Sequence, residues 1–231
     1  MKIYGLEKLS LVDYDGFVAA TVFTGACNYR CPFCHNAALV VDYSTLPEYP
    51  MEEFFSYLKK RKGILEAVCV TGGEPTLQSD LPAFCERIKA LGYRVKLDTN
   101  GTNPEMVKTL ALSGIVDYFA MDIKNDRENY GKVIGIPDYK TEKVEETVAF
   151  FLSGKANYEF RTTIIKEFHK KENMIRIGEW IKGANKYFLQ KFKKGDNCLS
   201  AGDLSEVPEN TAKEFAEILK DYIPNVNLRG Y

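Results

Sequence analysis

The sequence has no long apolar run. Its opening stretch, MKIYGLEKLSLVDYDG, mixes charges with scattered apolar residues, so neither a cleaved secretory signal nor a membrane span is expected. An excess of one charge sign is also missing: 31 Lys and Arg face 32 Asp and Glu, a formal net charge of -1. So balanced a chain offers no field to draw nucleic acid or an anionic membrane as partner. The one basic run, 186–194, alternates its lysines with Tyr187, Leu189 and Phe192, the pattern of a strand with one solvated face. No Gly/Ser linker, low-complexity stretch or sequence repeat divides the chain, and residues 1–231 are read as one domain. The expected location is cytoplasmic, where thiols stay reduced. The six cysteines are therefore not read as three disulfides, and three of them, Cys27, Cys31 and Cys34, crowd into eight residues.

What is present is an alternation of strand and helix signals. Apolar or β-branched strand patterns fall at 17–23, 65–70, 93–97, 115–121, 158–165 and 187–192, with a short last one at 226–229. Helical spacing falls at 51–62, at Leu81, Phe84, Cys85, Ile88 and Leu91, and at 141–152, 171–182 and 209–222. Asn103 and Pro104 read as the N-cap and first position of a further helix that Gly114 ends, and Gly92 as another helix stop. Strands alternating with helices imply a parallel sheet. Six such pairs predict an α/β fold, a partial (β/α)6 TIM-like barrel with parallel strands inside and helices outside. The polar, glycine-containing segments 124–140 and 193–208 are read as candidate mobile loops.

Closely spaced thiolates from one loop are the usual ligands of iron–sulfur clusters. Three of them leave one iron of a four-iron cluster open, as a reactive site requires. A zinc site on Cys27, Cys31, Cys34 and His35 is the bland alternative, but adjacent Cys34 and His35 would strain a tetrahedron. The polar motifs meanwhile cluster where strands end: Gly72-Gly73-Glu74 after the second strand, Asp98-Thr99-Asn100-Gly101 after the third, Asp122 and Lys124 at the fourth, Arg161 and Thr163 in the fifth. In parallel barrels the active site gathers at that end of the strands. Taken singly, each has a plain reading: Asp98 as a turn former, Asp122 and Lys124 as an exposed pair, Arg161 as an outward strand residue. His169 is read as a loop residue, Cys69 and Cys85 as inert core thiols, and Cys198 is given no role.

The C-x3-C-x2-C loop, with Phe33 before its last cysteine, resembles that of the radical S-adenosylmethionine (SAM) superfamily. The resemblance implies a [4Fe–4S] cluster on Cys27, Cys31 and Cys34, with SAM chelated to the open iron. It implies Phe33 near the adenine and Gly72, Gly73 and Glu74 at the SAM amino group. Lys124 is expected at the SAM carboxylate, with Arg161 in the same site. Asp98, Thr99 and Asp122 are expected to form a monovalent-cation site, since two converging carboxylates need a cation or a proton. Cys34-His35-Asn36 and the strand-end motifs resemble the glycyl-radical activase group. The opening segment and the final Leu228-Arg229-Gly230-Tyr231 resemble activating proteins of anaerobic ribonucleoside-triphosphate reductase. The implied partners are that glycyl-radical enzyme and a flavodoxin or ferredoxin as electron donor. A small-molecule enzyme such as a 7-carboxy-7-deazaguanine synthase is one alternative, and a non-catalytic metal-binding module is another.

Overall fold

A computed structural model describes residues 1–195 and 197–231. The elements run β1 (Ile3–Ser10), β2 (Ala19–Thr24), α1 (Ala37–Val41), α2 (Met51–Lys60), β3 (Ala67–Gly72), α3 (Leu81–Ala90), β4 (Arg94–Thr99) and α4 (Pro104–Leu112). They continue with β5 (Tyr118–Asp122), α5 (Tyr130–Ile134), α6 (Glu142–Leu152), β6 (Tyr158–Ile164), α7 (Lys171–Trp180), β7 (Tyr187–Lys191), α8 (Glu209–Lys220) and β8 (Val226–Arg229). All eight strands form one sheet in chain order, β1 to β8. Only β1 is antiparallel; β2 through β8 pair in parallel. The fold is thus the expected α/β partial barrel, with an added antiparallel edge.

Side-chain alternation gives the sheet two unlike faces. The outer face carries Val22, Val70, Leu97, Phe119, Phe160 and Leu189, all fully buried in one continuous core with the helices. Helix α2 contributes Phe54 and Phe55, which pack on Phe84 of α3 with ring centroids 5.6 and 5.7 Å apart. The inner face is charged: Lys96, Asp98, Asp122, Glu159 and Arg161 follow one another across β4, β5 and β6. Its lower end is plugged by Tyr14 and Phe17, which pack with Ala19, Ala67 and Tyr118. Arg229 on β8 then ties the two ends of the chain, donating to Asp15 at 3.0 Å and to the buried Glu159 at 3.2 Å.

Two readings change. Residues 3–10 form a strand that has no clean sequence signal, because only Ile3 and Ser10 are buried and the middle is an open edge. Segment 124–140 is not a mobile loop. Asn125, Asp126, Tyr130, Val133 and Ile134 are buried, and α5 forms within it. Its buried Asp126 is satisfied within the protein, accepting from the Asn129 main-chain and side-chain amides and from Asn173 on α7.

Candidate active site

The loop between β2 and α1 carries the cysteine triplet. It is held from three directions. The Arg30 amide donates to Ile134 O on α5, at 2.8 Å. Asn28 donates to Thr102 at 2.9 Å and accepts from Asn100 at 2.8 Å, which ties the loop to the end of β4. The amides of Leu199 and Ser200 donate to Cys34 O and Pro32 O, so this part of segment 193–208 is bound to the triplet. Cys198 Sγ stands 3.7 Å from His35 Nδ1. No sequence signal links those two residues, since 163 positions separate them.

Cys27, Cys31 and Cys34 line one cavity of about 250 Å³ at the C-terminal ends of the strands. Phe33, Gly72, Gly73, Glu74, Asp98, Thr99, Asp122, Lys124 and Arg161 line it too, so the structure brings every expected site residue together. All six cysteines are free thiols. Among the described residues no three His, Cys, Asp or Glu side chains close on a single ion. Burial pushes the Cys27 thiol up to about 11 and Cys31 up to about 12, so a cluster would displace their protons on binding. The Tyr29 amide, 3.4 Å from Cys27 Sγ, is already turned to support a thiolate.

The glycines serve the loop itself. A Cβ on Gly73 would lie 1.9 Å from Ala26 O, and one on Gly72, at φ +122, would lie 2.3 Å from Thr24 N. At this approach Gly73 N donates to Thr24 O and Glu74 N to Ala26 O, at 2.9 and 2.8 Å. The close contact anticipated with a ligand is therefore first a contact with the residue before Cys27. Glu74 is likewise occupied. It is 1% exposed, and its carboxylate accepts from Thr76, from Thr99 Oγ1 at 2.8 Å and from Asn100 N at 2.6 Å. It clasps the β3 and β4 ends together.

A ladder of charges crosses the cavity floor. Arg161 donates through Nε to Asp122 at 2.9 Å and through Nη1 to Asp98 at 3.2 Å. Lys124 donates to Asp122 at 2.8 Å, and Lys96 lies 3.3 Å from Asp98. Burial alone would raise both carboxyls, but Arg161 with Lys96 holds Asp98 below its usual value, and Arg161 with Lys124 takes Asp122 to about 2. Between the carboxylates of the expected cation site, Asp98 and Asp122, lies the Arg161 guanidinium. Arg161 already neutralises the two carboxylates, and Thr99 turns its hydroxyl to Glu74 instead of toward them. On the cavity wall Arg161 and Lys124 pair with Asp98 and Asp122, and Lys96 reaches Asp98 from outside the lining. The Lys124 ammonium gives one donor to Asp122 and has further donors for an incoming carboxylate.

Phe33 is buried between Phe168 and Phe192, with Lys124 Nζ 6.0 Å from its ring centroid. His169 sits in a loop, as expected, but is only 2% exposed, with both ring nitrogens engaged. A lone histidine after a strand carries no spacing that would announce this.

Comparison with known proteins agrees with the geometry. Residues 21–165 match the family described as the Radical SAM superfamily. A Methanocaldococcus jannaschii protein named "Putative glycyl-radical enzyme activating enzyme" is 30% identical over 98% of this chain and 95% of its own length. A 7-carboxy-7-deazaguanine synthase of Koribacter versatilis is 29% identical over 71% of this chain and 68% of its own. Among solved structures, Streptococcus suis SuiB bound to S-adenosylmethionine superposes with a TM-score of 0.70 at 15% identity. The match covers 90% of this chain but only 49% of SuiB, so this chain spans about half of that protein. The thiol loop, the glycine turn against it and the strand-end charges thus belong to a shared sequence as well as a shared fold: the chain is a member of the radical SAM superfamily.

Proposed function

We propose that this protein is a glycyl-radical activase, and that its partner is an anaerobic ribonucleoside-triphosphate reductase. Cys27, Cys31 and Cys34 would hold a [4Fe–4S] cluster and leave one iron for SAM. Bound there and reduced by one electron, such a cluster would supply the electron that cleaves the SAM sulfonium into methionine and a 5′-deoxyadenosyl radical, and the hydrogen atom that turns this radical into 5′-deoxyadenosine would come from a glycine Cα of the partner, leaving a glycyl radical. The chain's own residues bind and orient. Lys124, fixed by Asp122, offers its ammonium to the SAM carboxylate. Arg161 keeps the two aspartates ionised and stationary. Phe33 gives the adenine an apolar wall, and the Gly72–Glu74 main chain borders the SAM amino group. A flavodoxin or ferredoxin is the proposed donor.

The observation that carries the SAM-cleaving part is the one cavity shared by three thiols and a ladder of paired charges that ends in the Lys124 ammonium. The activase part is supported by the near end-to-end match to the M. jannaschii protein, against the partial match to the deazaguanine synthase. The test is anaerobic SAM cleavage by the reduced enzyme, with and without candidate reductase subunits, read by electron paramagnetic resonance. The expected result is 5′-deoxyadenosine formation coupled to a glycyl-radical signal on the reductase. Cys31→Ala should abolish both, along with the cluster absorption. Turnover of a small molecule with no radical on any glycyl-radical partner would overturn the activase reading.

A further inference from the structure

Lys124 lies just past the regular sheet. The last ladder bond on its strand is Ile123 N to Arg161 O, and Lys124 has no strand partner of its own. Its main chain is held instead by side chains: the Tyr130 hydroxyl bonds the Lys124 backbone, and His169 Nε2 lies 3.0 Å from Lys124 O. The direction of that bond follows from the other ring nitrogen. Ile165 N donates to His169 Nδ1 at 2.9 Å; the other neighbour of Nδ1, Ile165 O, is farther at 3.3 Å and already accepts from His169 N at 2.8 Å, which assigns Nδ1 as the acceptor without a proton. A neutral imidazole then carries its proton on Nε2, which can only donate, and Lys124 O receives it. Burial supports the neutral ring, lowering it to about 4.

We infer that His169 is a positioning residue for SAM: as the Nε2-protonated tautomer it fixes the Lys124 carbonyl and so aims the Lys124 ammonium into the cavity. The inference rests on the proposed pairing of Lys124 with the SAM carboxylate. The loop that carries His169 also sets the other boundary of the ammonium. Its neighbour Phe168 packs on Phe33, the ring over which Lys124 Nζ sits, and Phe168 O accepts from Asn125, the residue after Lys124. One loop thus grips both the backbone beside the ammonium and the ring beneath it. A donor bond to a free-standing carbonyl matters more here than in the sheet, where a neighbouring strand would hold the chain regardless.

Two conservative variants separate this role from general support of the fold. In His169→Gln the side-chain amide reaches the Nε2 position and can still donate to Lys124 O. In His169→Asn the amide oxygen replaces Nδ1, keeps the Ile165 bond and loses the one to Lys124. With reconstituted enzyme, His169→Asn should bind SAM about three- to tenfold more weakly, the worth of one hydrogen bond, while His169→Gln stays within about twofold. Lys124→Ala should weaken SAM at least as much, and adding His169→Asn to it should cost nothing more. Because the chain has only two histidines, ¹⁵N-histidine NMR of the same protein reads the tautomer directly. An Nδ1-protonated His169, or equal losses in the Gln and Asn variants, would overturn the inference. Normal SAM affinity in His169→Asn beside a loss in Lys124→Ala would overturn it while leaving the Lys124 reading intact. Normal affinity in Lys124→Ala would overturn both.

Discussion

Arg161 has the most exacting position in the molecule. Among the described residues its guanidinium alone bonds both Asp98 and Asp122, and its fork geometry allows two separate bonds. Removing it leaves two buried carboxylates short of a partner, and Arg161→Leu is expected to cost about 3–5 kcal/mol in a urea titration. Arg161→Lys keeps the charge but cannot bridge, so it should fold better than the Leu variant and still bind SAM poorly. Gly73 is exacting for a different reason. Its φ is ordinary, and what forbids a side chain is the Ala26 carbonyl 1.9 Å from the Cβ position. Gly73→Val should therefore lose iron as well as about 2 kcal/mol or more of stability, because it unseats the Cys27 end of the loop. Gly92→Ala is the control: nothing stands within 4 Å, and only the left-handed backbone at φ +90 resists, at about 1 kcal/mol. Iron content beside the urea midpoint distinguishes the two.

At the scale of elements, period and capping in the sequence sufficed wherever packing was one-sided. Helix α2 was legible because Phe54, Phe55 and Leu58 fall on one face, and α4 because Asn103 caps it, accepting from Met106 N. The strand-end motifs were legible as a group, since a parallel sheet brings them to one rim whatever each does alone. What could not be read was which polar residues are spoken for by other polar residues. Glu74 and Thr99 read as ligand contacts yet bond each other. Segment 124–140 read as solvated, yet it is a brace. The Ile134 carbonyl and the bare Gly135, whose Cβ would meet Arg30 O at 2.4 Å, form the back wall of the cysteine loop. Those pairings depend on three-dimensional neighbours with no fixed sequence spacing, as do His169 with Lys124 and Cys198 with His35.

For the molecule as a whole, the charged interior sets how stability responds to pH. His169 folds with its ring value lowered to about 4 from an ordinary 6.5. The unfolded chain therefore binds this proton first. The stability His169 contributes is complete above pH 6.5 and is lost as pH falls toward 4, by about 3 kcal/mol at most. Asp122, lowered to about 2, adds a further loss that begins below its ordinary 3.8. Urea midpoints between pH 7 and 4.5 should fall more steeply for the wild type than for His169→Gln, which has no proton to gain. Equal slopes would mean that the buried ring does not resist protonation.

The order of the sheet has a consequence for biosynthesis. Because strands join in the order they are made, each new strand finds its neighbour already in place, and most of the sheet can assemble while the chain is still emerging. The three thiols leave the ribosome early, on a loop following the second strand. The parts that immobilise that loop come much later: Asn100 and Thr102, then Ile134, and at last Leu199 and Ser200. Arg229, which fastens the ends together, comes later still. A nascent chain thus exposes its three thiols before the residues that immobilise their loop have been made, and premature oxidation of the triplet is the hazard of the interval.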